Sequence, residues 1–247
     1  MGILVLLRHG QSQWNLENRF TGWWDVDLSD QGEREAREAG SYLDEAGLAV
    51  DKAYTSVLTR AIRTLDLALE QMGRLWVPVV RHWRLNERHY GDLTGLDKAA
   101  TKAKYGNELF MKWRRSYATP PPPMPAGHKY DVRGDDRYRR LAPDVVPDTE
   151  CLADVVVRML PFWYDAIAPD LLDGRTVLVA AHGNSLRALI KHLDGISDAD
   201  ISELEIPTGV PMVYRFDPHL SVTARESLGD PEFIAAATEA VRTQGDR

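Results

Sequence analysis

Cysteine is nearly missing from this chain. Cys151 stands alone among 247 residues, so no intrachain disulfide can form, which suits a reducing compartment. No apolar run reaches the roughly 18 residues of a membrane-spanning helix. The first apolar stretch stops at Leu7 and meets Arg8. With no cationic segment before it, it is too short for a secretion signal, and the chain is expected to be cytoplasmic with no membrane partner. A basic excess is also missing: 30 Lys and Arg face 37 Asp and Glu, a net charge of −7. That sign argues against a nucleic-acid partner. There is no Cys cluster and no H-E-x-x-H, so no ready-made metal site is expected. Sequence repeats are lacking as well.

What is present is an ordinary globular balance, 44% apolar and 27% charged. The length fits one large domain, residues 1–247. Two five-residue apolar runs, Ile3 to Leu7 and Val177 to Ala181, lack polar alternation and read as central strands covered on both faces. Ser29 reads as the N-cap of a helix to about Ala46, stopped at Gly47. Leu58, Ala61, Leu65, Leu69 and Met72 mark the apolar stripe of another helix. Further strands are expected at 53–55, 79–83 and 211–216. A long helix over 149–168 should kink or break at Pro161, and a helix is expected over 185–193. Asp230-Pro231 opens a last helix through Val241 within the tail 221–247. Alternating strands and helices predict an α/β fold, a three-layer α/β/α sandwich around a mostly parallel sheet. The segment 116–148, with the run Pro120 to Pro123, is expected to be an inserted cap or lid.

The chemistry sits where both apolar runs end. Each meets a His-Gly pair, Arg8-His9-Gly10 and His182-Gly183-Asn184. Open α/β sheets bind ligands beyond the carboxyl ends of their strands, so both imidazoles should reach one rim. A glycine after each histidine would let the backbone turn and approach a ligand closely. The surroundings favour an anion over a cation. Between Arg81 and Arg115 stand nine Lys or Arg against four acids, a local charge of +5 that leaves −12 for the remainder. Such a run is either a solvated helix face or a basic wall facing a small anion. A neutral imidazole is a competent nucleophile toward phosphorus, and an arginine cage with a second histidine can stabilise the transferring group. Glu87, among cations after the strand ending near Trp83, is either an ion-pair partner or the proton-moving group.

The longer motifs carry a resemblance. Arg8 to Asn15 (RHGQSQWN), Phe20 to Trp23 (FTGW), Tyr54 to Ser56, Arg60-Ala61, Leu85 to Gly91 (LNERHYG), Trp113 to Arg115, Ala181 to Leu189 (AHGNSLRAL) and Ile206 to Pro211 (IPTGVP) are similar to the cofactor-dependent phosphoglycerate mutase family of the histidine phosphatase superfamily, almost end to end. The resemblance implies that His9 carries the phosphoryl group, Glu87 moves the proton, His182 stabilises the group in transfer, and Arg8 and Arg60 hold it. It implies a substrate pocket of Arg8, Gly10, Ser12, Asn15, Thr21, Gly22, Arg60, Glu87, Tyr90, Lys98, Arg114, Arg115, Gly183 and Asn184. The implied reaction interconverts 3-phosphoglycerate and 2-phosphoglycerate, primed by 2,3-bisphosphoglycerate and without a metal, in a homodimer or homotetramer. Gln11 stands where the family usually has Glu, Thr94 where it usually has Gln, and 221–229 departs from its pattern. Two other readings stay open: a phosphatase for small phosphorylated metabolites, and a regulatory module without catalysis.

Overall fold

A computed structural model of the protein describes residues 1–243. Strand β1 (Ile3–Arg8) leads through the short helix α1 (Gln13–Leu16) to α2 (Asp30–Glu45), then β2 (Lys52–Thr55), α3 (Thr59–Gln71) and β3 (Val79–Arg81). Helices α4 (Lys98–Tyr105) and α5 (Asn107–Arg115) follow, then α6 (Leu152–Phe162) and α7 (Ala168–Leu172). The chain closes with β4 (Thr176–Ala181), α8 (Gly183–Asp194), β5 (Pro211–Phe216), β6 (Val222–Ser227) and α9 (Pro231–Arg242).

The six strands form one sheet in the order β3-β2-β4-β1-β5-β6. The first four are mutually parallel, while β5 runs antiparallel to β1 and β6 antiparallel to β5. Strand side chains alternate between two cores. Val5, Leu7, Ala53, Leu178 and Ala180 pack with Ala39 and Leu43 of α2 and Leu65 and Leu69 of α3. Leu4, Leu6, Tyr54, Val177 and Val179 face the opposite way, onto Val155 and Met159 of α6 and Leu186 and Leu189 of α8. The expected three layers and mostly parallel sheet are therefore present.

Several boundaries differ from expectation for physical reasons. The long helix begins at Leu152, N-capped by buried Cys151, whose backbone N–H donates to Asp154. It is not severed at Pro161; regular α geometry instead gives way to a π turn over Trp163–Ile167 before α7. The third strand ends at Arg81 and passes into a 3-10 turn, Trp83–Leu85. The basic stretch, where the sequence marks no element, holds α4 and α5, divided at Gly106, whose φ of 83° belongs to the left-handed region. Strand β6 has no sequence signature because its residues are nearly all exposed at the sheet edge. Residues 244–247 of the expected tail lie outside the described residues.

The proline-rich segment 116–148 holds turns and one 3-10 turn, Pro143–Val145, with no strand or α-helix among these described residues. Its Val132, Tyr138 and Val146 pack around Trp23, and Asn86 Nδ2 donates to Tyr138 Oη at 3.0 Å. No helix among the described residues is long and apolar enough to cross a membrane.

Two histidines outside the rim tie stability to pH. His82 Nδ1 accepts from the Arg84 N–H at 3.2 Å, and His89 Nδ1 accepts from the Gly91 N–H at 3.1 Å, so each ring must be neutral. Burial, above all, pushes both down to about 4 from the usual 6.5. The unfolded chain therefore takes up more protons as pH falls below 6.5, and stability present above that pH is lost on the way to 4. We expect unfolding free energy in urea to drop by about 2 kcal/mol or more between pH 7 and pH 5. A flat profile across that window would contradict the neutral-ring assignment.

Candidate active site

The β1–β4 register puts Arg8 opposite Ala181, and the His9 N–H donates to the Ala181 carbonyl at 2.9 Å. The next residue on each strand is thus a histidine at the same rim. Their rings meet edge to face with centroids 4.9 Å apart. Both are buried. Burial first, then Arg60 and Arg8, hold His9 well below the usual imidazole range; burial first, then Arg60 and His9, do the same to His182. Two neutral rings result.

Their tautomers follow from their partners. His9 Nδ1 lies 2.7 Å from the Gly10 carbonyl, which can only accept, so Nδ1 carries the proton and Nε2 keeps a free lone pair. His182 Nε2 lies 2.7 Å from Ser56 Oγ, which already accepts from the Leu58 N–H at 3.2 Å. The Ser56 hydroxyl has no other acceptor among the described residues, so its proton goes to Nε2, and His182 Nδ1 bears the ring hydrogen. That Nδ1 is buried without a partner among the described residues.

Guanidinium groups surround this pair, and backbone carbonyls hold them. Arg8 Nη1 donates to the Ile206 carbonyl at 2.7 Å; Arg60 donates to Gly22 at 2.7 Å and Trp24 at 3.1 Å. Burial lowers Arg60 to about 10, and burial with Arg114 and Arg8 lowers Lys98 to about 7. Glu87 Oε1 accepts from the Arg88 N–H at 2.7 Å and the Asn184 N–H at 3.1 Å. Asn184 stands in the first turn of α8, so this carboxylate also meets the positive end of a helix.

Two adjoining cavities open here. The first is lined by His9, Asn15, Thr21, Gly22, Arg60 and Lys98, the second by Arg115, Gly183, Asn184, Arg187 and Glu205. Arg8, Glu87, Tyr90 and Arg114 line both. Most of the pocket residues expected from sequence therefore converge. Ser12 and Gly10 do not line either cavity. The Ser12 hydroxyl caps α1 by accepting from the Asn15 N–H. At Gly10 the close neighbour is α2: a Cβ would stand 2.2 Å from the Gly32 carbonyl oxygen. The glycine is needed there for packing rather than for ligand approach. At Gly183 a Cβ would point toward Arg8 and Glu87 Oε2 at 3.5–3.6 Å, so that glycine does border the cavity. Gln11 lies outside both cavities, its Oε1 accepting from Ser29 Oγ at 2.8 Å.

Sequence reasoning missed Ser56, Arg158, Glu150, Arg187 and Glu205. Arg158 of α6 donates to the carbonyls of Arg84, Asn86 and Glu87 and pairs with Glu150 at 2.6 Å. Glu150 in turn accepts from the His89 N–H at 2.7 Å. This clamp fixes the loop that presents Glu87. Arg187 follows Asn184 by one helical turn inside AHGNSLRAL, a spacing that could have revealed it. Among the described residues, no group of three or more His, Cys, Asp or Glu side chains could hold a metal ion.

Residues 4–141 and 128–225 match the histidine phosphatase superfamily, branch 1. The chain belongs to this superfamily. Within it, the chain is 58% identical over 245 residues to the 2,3-bisphosphoglycerate-dependent phosphoglycerate mutase of Nitratidesulfovibrio vulgaris, covering 99% of this chain and 98% of that one. The enzyme of the same name from Streptomyces griseus is 59% identical over 99% of this chain and 97% of its own. Among solved structures, a mycobacterial glucosyl-3-phosphoglycerate phosphatase complexed with VO3 superposes with a TM-score of 0.67 at 25% identity, covering 91% of this chain and 96% of that one.

The tautomers of this superfamily member can be read directly. Nitrogen-15 NMR of the histidine rings should show His9 and His182 both protonated at Nδ1. Ser56→Ala should release His182 toward the Nε2–H form, while a wild-type His182 already in that form would refute the assignment.

Proposed function

We propose that this protein is a phosphoglycerate mutase, interconverting 3-phosphoglycerate and 2-phosphoglycerate through a phosphohistidine at His9. The near full-length likeness to mutases of that name carries the reading. The site chemistry supports it: a neutral His9 with Nε2 free stands beside His182 and an arginine cage. Bound 2,3-bisphosphoglycerate would supply the first phosphoryl group to His9. The cation-rich walls of the two cavities suit a ligand anionic at both ends, with Arg8 and Arg114 shared between them.

In the proposed cycle, the P–N bond at His9 Nε2 breaks as a substrate hydroxyl oxygen bonds to phosphorus. Glu87 takes the proton from that hydroxyl. In the return step the second phosphoryl group passes from its oxygen to Nε2, and Glu87 gives the proton back to the departing oxygen, as microscopic reversibility requires. His182 Nδ1–H, Arg8 and Arg60 stabilise the charge on the group in flight. Asn15, Thr21, Gly22, Tyr90, Lys98, Arg114, Arg115, Gly183 and Asn184 orient the substrate, with Gly10 and Ser12 shaping the loop behind His9. We further propose one domain over 1–247 with 116–148 as its inserted cap, a metal-independent reaction, a cytoplasmic location within glycolysis and gluconeogenesis, and a homodimer or homotetramer.

A phosphatase is the second reading, favoured by the structural likeness to a sugar-phosphoglycerate phosphatase. A coupled assay starting from 3-phosphoglycerate and 2,3-bisphosphoglycerate decides between them. We expect 2-phosphoglycerate as the main product, and inorganic phosphate in its place would reverse the ranking. His9→Ala should abolish acid-labile, base-stable phosphate on the protein. Glu87→Gln should lower kcat by about a hundredfold or more and slow the appearance of that label, because the same carboxyl serves both half-reactions.

Lys98 sets a pH dependence. Held at about 7, its ammonium is lost as pH rises, and an anion then binds less well. Substrate phosphate is already mostly dianionic above pH 7, since its second pKa is about 6. KM for 3-phosphoglycerate should therefore rise between pH 7 and 8.5, and Lys98→Arg should flatten the rise. An unchanged slope in Lys98→Arg would remove Lys98 as its cause.

A further inference from the structure

Arg115 ends α5, and Glu205 precedes Ile206, the residue whose carbonyl holds Arg8. The two side chains form an ion pair at 2.5 Å and are only 11% and 14% exposed. The pair stands on a shared wall. Both residues line the second cavity, and both also line a broad groove beside Lys102, Lys112 and Ser202.

Inside the cavity, Glu205 faces an unbalanced set of charges. Arg8, Arg114, Arg115 and Arg187 line the cavity against two carboxylates, Glu87 and Glu205. Glu87 is engaged by two backbone N–H groups. The Glu205 charge acts on Arg8 and on Arg187 as well as on its direct partner. Yet the buried Nε atoms of Arg8 and Arg187 have no acceptor among the described residues. One carboxylate at Arg115 cannot reach all of these donors, whereas a tetrahedral oxyanion presents several acceptors at once.

We infer that Glu205 is a built-in competitor for the anion subsite of the second cavity, displaced from Arg115 when a small oxyanion binds. The carboxylate keeps the guanidinium in place and lowers the repulsion among its neighbours while the subsite waits. It also weakens every anion that binds there, because the Arg115–Glu205 contact must first break. A lone monocarboxylate gains little from that exchange, since it replaces like with like. A divalent oxyanion gains the additional donors. Glu205 thus selects for ligand charge, and its position on the shared wall makes its release open the second cavity toward the groove.

The natural ligand of this subsite rests on the phosphoglycerate reading, but the competition does not. The test therefore uses sulfate, which does not titrate near neutrality. Calorimetry on the full chain should show sulfate binding tightened roughly tenfold in Glu205→Gln, with Glu205→Asp close to wild type. KM for 3-phosphoglycerate should fall in parallel in Glu205→Gln. Sulfate affinity that is unchanged or weaker in Glu205→Gln would overturn the inference, by showing that Glu205 positions Arg115 and does not compete. If the wild type has no mutase activity, the proposed function fails while the sulfate result still answers this question.

Discussion

The site depends on how its buried cations are held. Arg8, Arg60, Arg88 and Arg187 each donate to main-chain carbonyls of Ile206, Gly22 with Trp24, Arg114 and Ile201. A carboxylate partner would fix a guanidinium and cancel its charge. A carbonyl fixes it and leaves the charge standing. Burying such a group is costly unless its hydrogen bonds are satisfied, and these carbonyls meet that need in part. What remains is positive potential in a site of low dielectric, where an anion is held far more strongly than at the surface. Burial first, and then this potential, keeps both imidazoles neutral beside the cations.

This dependence makes the loops as important as the sheet. The carbonyls of Gly22 and Trp24 come from a loop whose Trp23 is sealed by Val132, Tyr138 and Val146 of the proline-rich segment. Packing far from the rim thereby sets where the Arg60 guanidinium can sit. Arg158 works in the opposite sense: its guanidinium holds three carbonyls of the Glu87 loop, and Glu150 balances its charge. There a carboxylate offsets the charge, and the residue places a neighbour.

Much of this is legible in the sequence, and the exceptions have physical causes. Central parallel strands are apolar on both faces, so β1 and β4 announce themselves, and the histidines at their ends follow. Edge strand β6 carries Arg225 and Glu226 toward solvent and shows no apolar alternation. Helices α4 and α5 hide within a run of charges, although Phe110 and Trp113 sit one turn apart on the buried face of α5. Gly10 reads as an approach to ligand because the sequence does not say that α2 crosses behind it at Gly32. The Arg158 clamp spans 71 residues to the Glu87 carbonyl, with no local pattern to mark it.

The three groups at the centre share one design. His9 anchors Nδ1 on the Gly10 carbonyl and leaves Nε2 free. His182 anchors Nε2 on Ser56 and leaves Nδ1 without a partner among the described residues. Glu87 anchors Oε1 on two backbone N–H groups and leaves Oε2 toward Gly183. Each has two heteroatoms, one of which is fixed by the fold. A group that is protonated or phosphorylated in one half of a cycle and restored in the other must not move between them. Anchoring through the second heteroatom achieves this, because the anchor is untouched by the change at the first. In the cycle proposed above, these three groups need no rearrangement between its two directions, and the ligand alone turns between them.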